Sequence, residues 1–237
     1  MPRAPRITAK GYVYHVLNRG VGRMTLFRKD RDFEAFLKVM RETVERVPSV
    51  ELLCFCVMSN HWHLAVRPRE DGVLSEFMRL LTVTHTQRWH AHRRSAGTGP
   101  VYQGRFKSFV VQTDAYFLTL ARYIEQNPLR AGLVERAEDW PWCSLAVRRE
   151  GPVEWRAMLR AWPNARRGES GVPGHWLRTV NAPQREAEVE RVRLSVRRGR
   201  PMGDAGWTTS TAAKLGLDAT LRRPGRPRSQ GQAAAGG

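Results

Sequence analysis

The sequence predicts an α+β fold: a ferredoxin-like antiparallel sheet with two helices on one face and a tyrosine-bearing helix on the other, followed by a small, basic, helical C-terminal region. Three observations predict it. Period-2 and helical apolar patterns alternate in the order β-α-β-β-α-β-α. Two of the apolar runs, Val50 to Met58 and His61 to Val66, are separated only by the turn-formers Ser59-Asn60, which signals a hairpin. Hydrophobic residues make up 41% of the 237 residues, enough for a core in part of the chain.

In order, residues 11–18 (GYVYHVLN) are rich in aromatic and β-branched types and read as a strand stopped by Arg19-Gly20. Phe33, Phe36, Leu37, Met40 and Val44 fall at helical spacing, and Pro48 closes that helix. In the hairpin, Met58 pairs with His61, Cys56 with His63 and Cys54 with Ala65. One face then carries His61, His63, Cys54 and Cys56; the other carries Trp62, Leu64, Val66, Leu53, Phe55 and Val57. The second face is core, and the first is polar for a central hairpin. Leu74 to about His92 reads as a helix and Phe106 to Gln112 as a strand. Thr113 or Asp114 is an N-cap for a helix that runs to Asn127 and ends against Pro128. Two helices cover the apolar face, which leaves the third for the histidine face. Beyond Trp142 the texture changes, and a boundary is expected near 150. The expected units are a domain at 1–149, an irregular linker at 150–184, a basic helical DNA-binding region at 185–228 and a disordered tail at 229–237.

The chain has 40 Lys and Arg against 22 Asp and Glu, a formal charge of +18, with basic residues from Arg3 to Arg228. This points to a polyanionic partner, nucleic acid ahead of an acidic membrane surface. The scarcity of Lys relative to Arg also fits genomic base composition. Three cysteines are too few for a disulfide framework, and no signal-like or spanning apolar run is found, so a cytoplasmic protein with no membrane partner is expected.

Two histidines at i and i+2 on a strand, His61 and His63, point the same way, which is one of the ways to present two imidazole ligands to a metal, although such a pair is often structural. Tyr123 and Asn127 stand one helical turn apart, so a phenol and an amide oxygen project together. Asn127 can add an oxygen to the histidine pair. Magnesium or manganese is the expected metal. A zinc site that adds Cys54 and Cys56 competes, but four ligands on two flat adjacent strands do not readily close a tetrahedron. Tyrosine can act as a nucleophile that stores a broken bond covalently; Tyr123 is favoured, with Tyr116 as backup. Arg105, Lys107, Arg122 and Arg130 surround the site in sequence and could bind backbone phosphates. Tyr102, Phe106 or Trp89 could stack unpaired bases. Gly199-Arg200-Pro201 and Gly225-Arg226-Pro227 look like cores that enter A·T-rich minor grooves, and read equally well as a solvated basic linker.

The combination of HWH on a strand, a single helical tyrosine in RYIEQNPLRAGLV and then DWPWCS resembles the Y1 transposases of the HUH endonuclease superfamily, in the REP-associated, IS200-like branch. The resemblance runs from about Gly11 to Ser144, and the tail pattern GRPMGDAGW with TLRRPGRPR is also similar to that branch. It implies that His61 and His63 are metal ligands, Asn127 the third ligand and Tyr123 the nucleophile. It further implies a substrate of single-stranded DNA folded into imperfect hairpins, cut through a 5′-phosphotyrosine link, with a homodimer possible. Cys143 stands where the pattern leads one to expect a serine after Trp-Pro-Trp. Two other classes compete with a nicking and joining enzyme: a catalytically inert DNA-hairpin-binding regulator, and a zinc-stabilised RNA-binding protein.

Overall fold

The alternating apolar runs become the strands of one antiparallel sheet: β1 (Val13–Arg19), β2 (Val50–Met58), β3 (His61–Pro68) and β4 (Lys107–Val111). Their order is β2-β3-β1-β4, so β1 lies between β3 and β4. This is the expected ferredoxin-like arrangement. The computed structural model describes residues 8–113, 115–163 and 165–222. The N-cap candidate Asp114, Arg226 and the 229–237 tail lie outside them.

Helices α1 (Asp30–Arg46) and α2 (Val73–Arg93) cover one face of the sheet. There Phe36, Leu37, Leu74 and Phe77 pack with Trp62, Leu64 and Val66. Helix α3 (Ala115–Glu125) covers the other face and lies on the sheet of its own chain, with Phe117, Leu120 and Ile124 in a cluster with Val13, Cys54, Cys56 and Ala65. The hairpin register is the expected one: Met58 opposite His61, Cys56 opposite His63, Cys54 opposite Ala65. A bulge between Leu52 and Cys54 breaks the alternation. It moves Leu53 into the α3-side cluster, correcting its expected place beside Trp62. The histidine face is also less polar than expected. It is a second core, in which the cysteines are buried as small apolar groups and the imidazoles form one polar corner.

Both sheet edges are covered, which removes the unpaired N–H and C=O rows that invite other strands. Along β2, the Val57 N–H donates to Trp142 O (2.9 Å), and Trp140 Nε1 donates to Val57 O (2.9 Å). Along β4, the Met202 N–H donates to Val110 O and the Gln112 N–H to Met202 O, both 2.9 Å. Gly199-Arg200-Pro201 thus serves the fold: Gly199, at φ 69°, ends the helix before it, and the segment then turns onto the β4 edge.

The rest of the chain forms α5 (Ser144–Glu150), α6 (Val153–Arg156), α7 (Trp176–Asn181), α8 (Glu186–Arg198) and α9 (Ala205–Lys214); α7 and α8 pack against α3, α5 against β2 and α6 against α1. The stretch 150–184 contains α6 and α7. Its Trp162 and Trp176 are buried, with Trp162 edge-on to Phe117 at 5.2 Å and its Nε1 donating to Leu53 O (2.8 Å). Isolated tryptophans carry no periodicity, so a pattern search passes over such packing. Trp162→Ala is expected to cost about 3–5 kcal/mol in urea denaturation of the full chain. A cost below about 1 kcal/mol would show that this stretch does not stabilise the sheet.

Candidate active site

The register of β3, β1 and β4 builds the site. On the α3 face, His61 lies opposite Arg19, His63 opposite Leu17, and Ala65 opposite His15; on the far side of β1, Leu17 faces Lys107 and His15 faces Phe109. Directly opposed residues share a face, so two histidines of β3, one of β1, Arg19 and Lys107 all lie on it. From above, the Tyr123 ring stands edge-on to His63 at 5.9 Å between centroids and to His15 at 6.5 Å.

Each histidine of β3 is held through its Nδ1. His61 Nδ1 is 2.6 Å from Asn60 Oδ1, and His63 Nδ1 is 2.9 Å from Nε2 of His15. The two rings are 5.0 Å apart and nearly perpendicular, and the Nε2 atoms remain for a ligand. Asn60 is fixed in turn: its carbonyl accepts the Gly20 N–H (2.9 Å), and its Nδ2 donates to Arg23 O (3.3 Å). A side chain at Gly20 would meet Met24 O at 2.5 Å, so this close approach admits only glycine. Burial pushes His61 down to about 4, with Arg19 and Arg130 adding to the effect, and pushes His15 down to about 3. His63 lies well below the ordinary imidazole value through burial first, then His61, His15, Arg130 and Arg19. All three rings are therefore neutral at pH 7, the form that ligates a metal. The donor set fits a divalent ion bound by His61 and His63. Cys54 and Cys56 do not join it, since among the described residues no group of three or more His, Cys, Asp or Glu is arranged to hold a metal.

Helix α3 ends at Glu125, two residues short of the expected end, and Asn127 opens the short α4 (Asn127–Arg130). Pro128 has no N–H to continue the helical ladder. Glu125 anchors the end of α3 in the interior, accepting from Ser144 Oγ (2.5 Å) and Trp176 Nε1 (2.7 Å), and its carboxyl is raised by burial. Arg130 folds back over Tyr123. Its Cζ is 4.2 Å from the ring centroid and Nη2 donates to Tyr123 O (3.0 Å), while Nη1 is buried with no hydrogen-bond partner among the described residues. A desolvated cation with an unmet donor favours an anion.

The remaining expected site residues divide. Lys107 is exposed on the histidine face. Arg105 is exposed on a cleft of ≈ 580 Å³ between α2 and residues 100–106. Arg122 is not a free cation beside Tyr123: Nη2 donates to Ala182 O (2.8 Å) and Pro183 O (3.0 Å), tying the C-terminal segment to α3. Arg200 is half-buried in a groove beside α8. Tyr102 is buried, receiving Trp62 Nε1 (3.1 Å) and bonded to His85 Nδ1 (2.7 Å), and is therefore part of the core. Tyr116 lies under Arg191 of α8. The sequence reading missed His15, Arg19 and Asn60. Once the ferredoxin-like order puts the first strand beside the third, the i, i+2, i+4 positions of that strand mark His15 and Arg19.

Residues 8–127 match the family described as "Transposase IS200 like", from just before β1 through Asn127. The chain belongs to the IS200-like transposase family. Within this family the chain is 25% identical over 119 residues to a Haemophilus influenzae protein provisionally named a REP-associated tyrosine transposase. That alignment covers 46% of this chain and 66% of the relative, just under two thirds of its length. The fold matches a solved structure of a REP-associated tyrosine transposase bound to a REP hairpin, with a TM-score of 0.50, 20% identity, and coverage of 65% of this chain and 90% of that one. No helix among the described residues of this IS200-like transposase is long and apolar enough to cross a membrane.

The lowered imidazoles set a pH dependence. Their folded values lie below the unfolded value of about 6.5, so the unfolded chain takes up protons first and stability falls as pH drops below that value. His85, also pushed down to about 3 by burial, acts in the same direction, whereas Glu125, raised by burial, acts in the opposite one. In urea denaturation with chelator present, His15, His61 and His85 are each expected to remove about 1.4 kcal/mol per pH unit between pH 6.5 and 4.5, and His63 acts in the same direction. Constant stability over that range would contradict the neutral site.

Proposed function

We propose that this protein is a metal-dependent enzyme that nicks and joins single-stranded DNA, acting on hairpin-forming, REP-like palindromic DNA through a 5′-phosphotyrosine intermediate. The observation that carries the reading is Tyr123 edge-on to His63 at 5.9 Å, within one chain and beneath an arginine. Family membership supports a DNA-processing activity, and the REP hairpin in the matched structure suggests the class of substrate.

His61 Nε2, His63 Nε2 and the Asn127 amide oxygen would hold the metal, and its imidazole share favours manganese over magnesium. A bound divalent ion would polarise the scissile phosphate and neutralise charge on its non-bridging oxygens. Arg19, Lys107 and Arg130 bring positive charge to the same phosphate. Tyr123 Oη attacks phosphorus in line and loses its proton. As the new P–Oη bond forms, the bond to the 3′ oxygen breaks, and that oxygen takes up a proton to become a free 3′-hydroxyl. One phosphodiester replaces another, so a second 3′-hydroxyl can reverse the step without ATP. When the P–Oη bond breaks in that reversal, Arg130 over the ring stabilises the departing phenolate.

Labelled single-stranded hairpin DNA incubated with the protein and Mn²⁺ is expected to give an adduct that survives denaturing electrophoresis. Tyr123→Phe abolishes it, Tyr116→Phe retains it, and Arg130→Gln slows its formation by about 10²-fold. Tight hairpin binding without an adduct in either Mn²⁺ or Mg²⁺ would favour the inert regulator instead.

A further inference from the structure

His15 is fully buried, a polar residue on an interior strand, and it has no part in the reading above. Its ring is stacked on His63, at 5.1 Å between centroids and 10° between planes, and Phe109 closes on it edge-on at 5.0 Å from β4. Tyr123 meets its edge from α3. Its Nε2 is 2.9 Å from His63 Nδ1, and its Nδ1 is buried with no partner among the described residues. The ring therefore makes one polar contact, and that contact is to the histidine nearest Tyr123.

We propose that His15 is a positioning residue for metal binding: it accepts the Nδ1 proton of His63 and so keeps the Nε2 lone pair of His63 free and directed at the ion. This rests on the assignment of His61 and His63 as metal ligands.

The reasoning is proton counting. Two neutral imidazoles joined by one hydrogen bond share a single bridging proton, which allows two arrangements. If His15 Nε2 carries it, His63 Nδ1 is the acceptor, the proton of His63 sits on Nε2, and that nitrogen cannot ligate. If His63 Nδ1 carries it, His63 Nε2 is bare and the proton of His15 sits on its own Nδ1. That nitrogen is unpartnered in both arrangements, so the environment of His15 does not force the wrong one. Metal binding selects the second. Ligating histidines ordinarily fix their tautomer by donating the other N–H to a carboxylate, a carbonyl or water. Here a neutral imidazole takes that place, while the buried Glu125 carboxyl on this side of the sheet is engaged by Ser144 and Trp176. Asn60 Oδ1 plays the equivalent part for His61, at 2.6 Å from its Nδ1.

The test is Mn²⁺ binding to the full chain, followed by the loss of the free-ion paramagnetic resonance signal, with circular dichroism as a check on folding. His15→Leu keeps the bulk and removes the acceptor, and is expected to weaken Mn²⁺ binding by about 10- to 100-fold. His15→Gln places an amide where Nε2 stood and restores most of the affinity. Should the leucine variant not fold, His15→Asn replaces it, because its amide falls short of His63 and must bind Mn²⁺ more weakly than the glutamine variant. Nitrogen-15 shifts of His63 supply a second readout: Nδ1 protonated and Nε2 bare in the loaded wild type. A folded leucine variant that binds Mn²⁺ as tightly as wild type, or equal affinities for Gln and Asn, overturns the role of His15 alone. A wild-type chain that binds no Mn²⁺ overturns the metal assignment and this inference with it.

Discussion

Because β1 lies between β3 and β4, its α3-facing His15 and Leu17 have neighbours in the same row on both sides, and Arg19 meets His61; those rows decide what the β3 histidines meet. A slip of one residue in the β1–β3 register would send His15 and Arg19 to the opposite face and leave His63 without its Nδ1 partner. The register is held by apolar packing on both faces: Tyr14 and Val16 point toward α1 and α2, and Val13 and Ala65 toward α3. The geometry of the site is thus a consequence of burying two cores at once.

The second constraint is electrostatic. The imidazoles are neutral because they are desolvated, and the nearby arginines disfavour their protonation further. With a formal charge of +18 on the chain and Arg130 partly stripped of water beside Tyr123, the site is short of negative charge. The proposed phosphodiester and divalent ion would supply both an anion for the arginines and a ligand for the imidazoles. The same burial raises the Cys54 thiol well above its ordinary value, which keeps it a protonated, apolar core residue.

Much of this was legible in the sequence. The hairpin turn at Ser59-Asn60, the pairing of Cys56 with His63 and the position of the α3 helix follow from local patterning, because alternation and turn chemistry act over a few residues. What escaped depends on contacts distant along the chain. Leu53 changes face through a bulge that no local pattern marks. Arg122, adjacent to Tyr123 in sequence, is taken up by carbonyls sixty residues away. Trp162 and Trp176 are placed by packing alone. Asn60 was legible as a turn former, but its hold on the His61 ring became visible only with the ring in place.

The proposed nucleophile is Tyr123 Oη, within a site formed by its own chain. The most direct measurement is mass spectrometry of the DNA-linked peptide. Cleavage after Arg122 and Arg130 isolates residues 123–130 and separates Tyr123 from Tyr116, which lies in the peptide before it. A nucleotide mass confined to the 123–130 peptide is the predicted result; the same mass on the peptide that contains Tyr116, or on any other residue, would contradict the account.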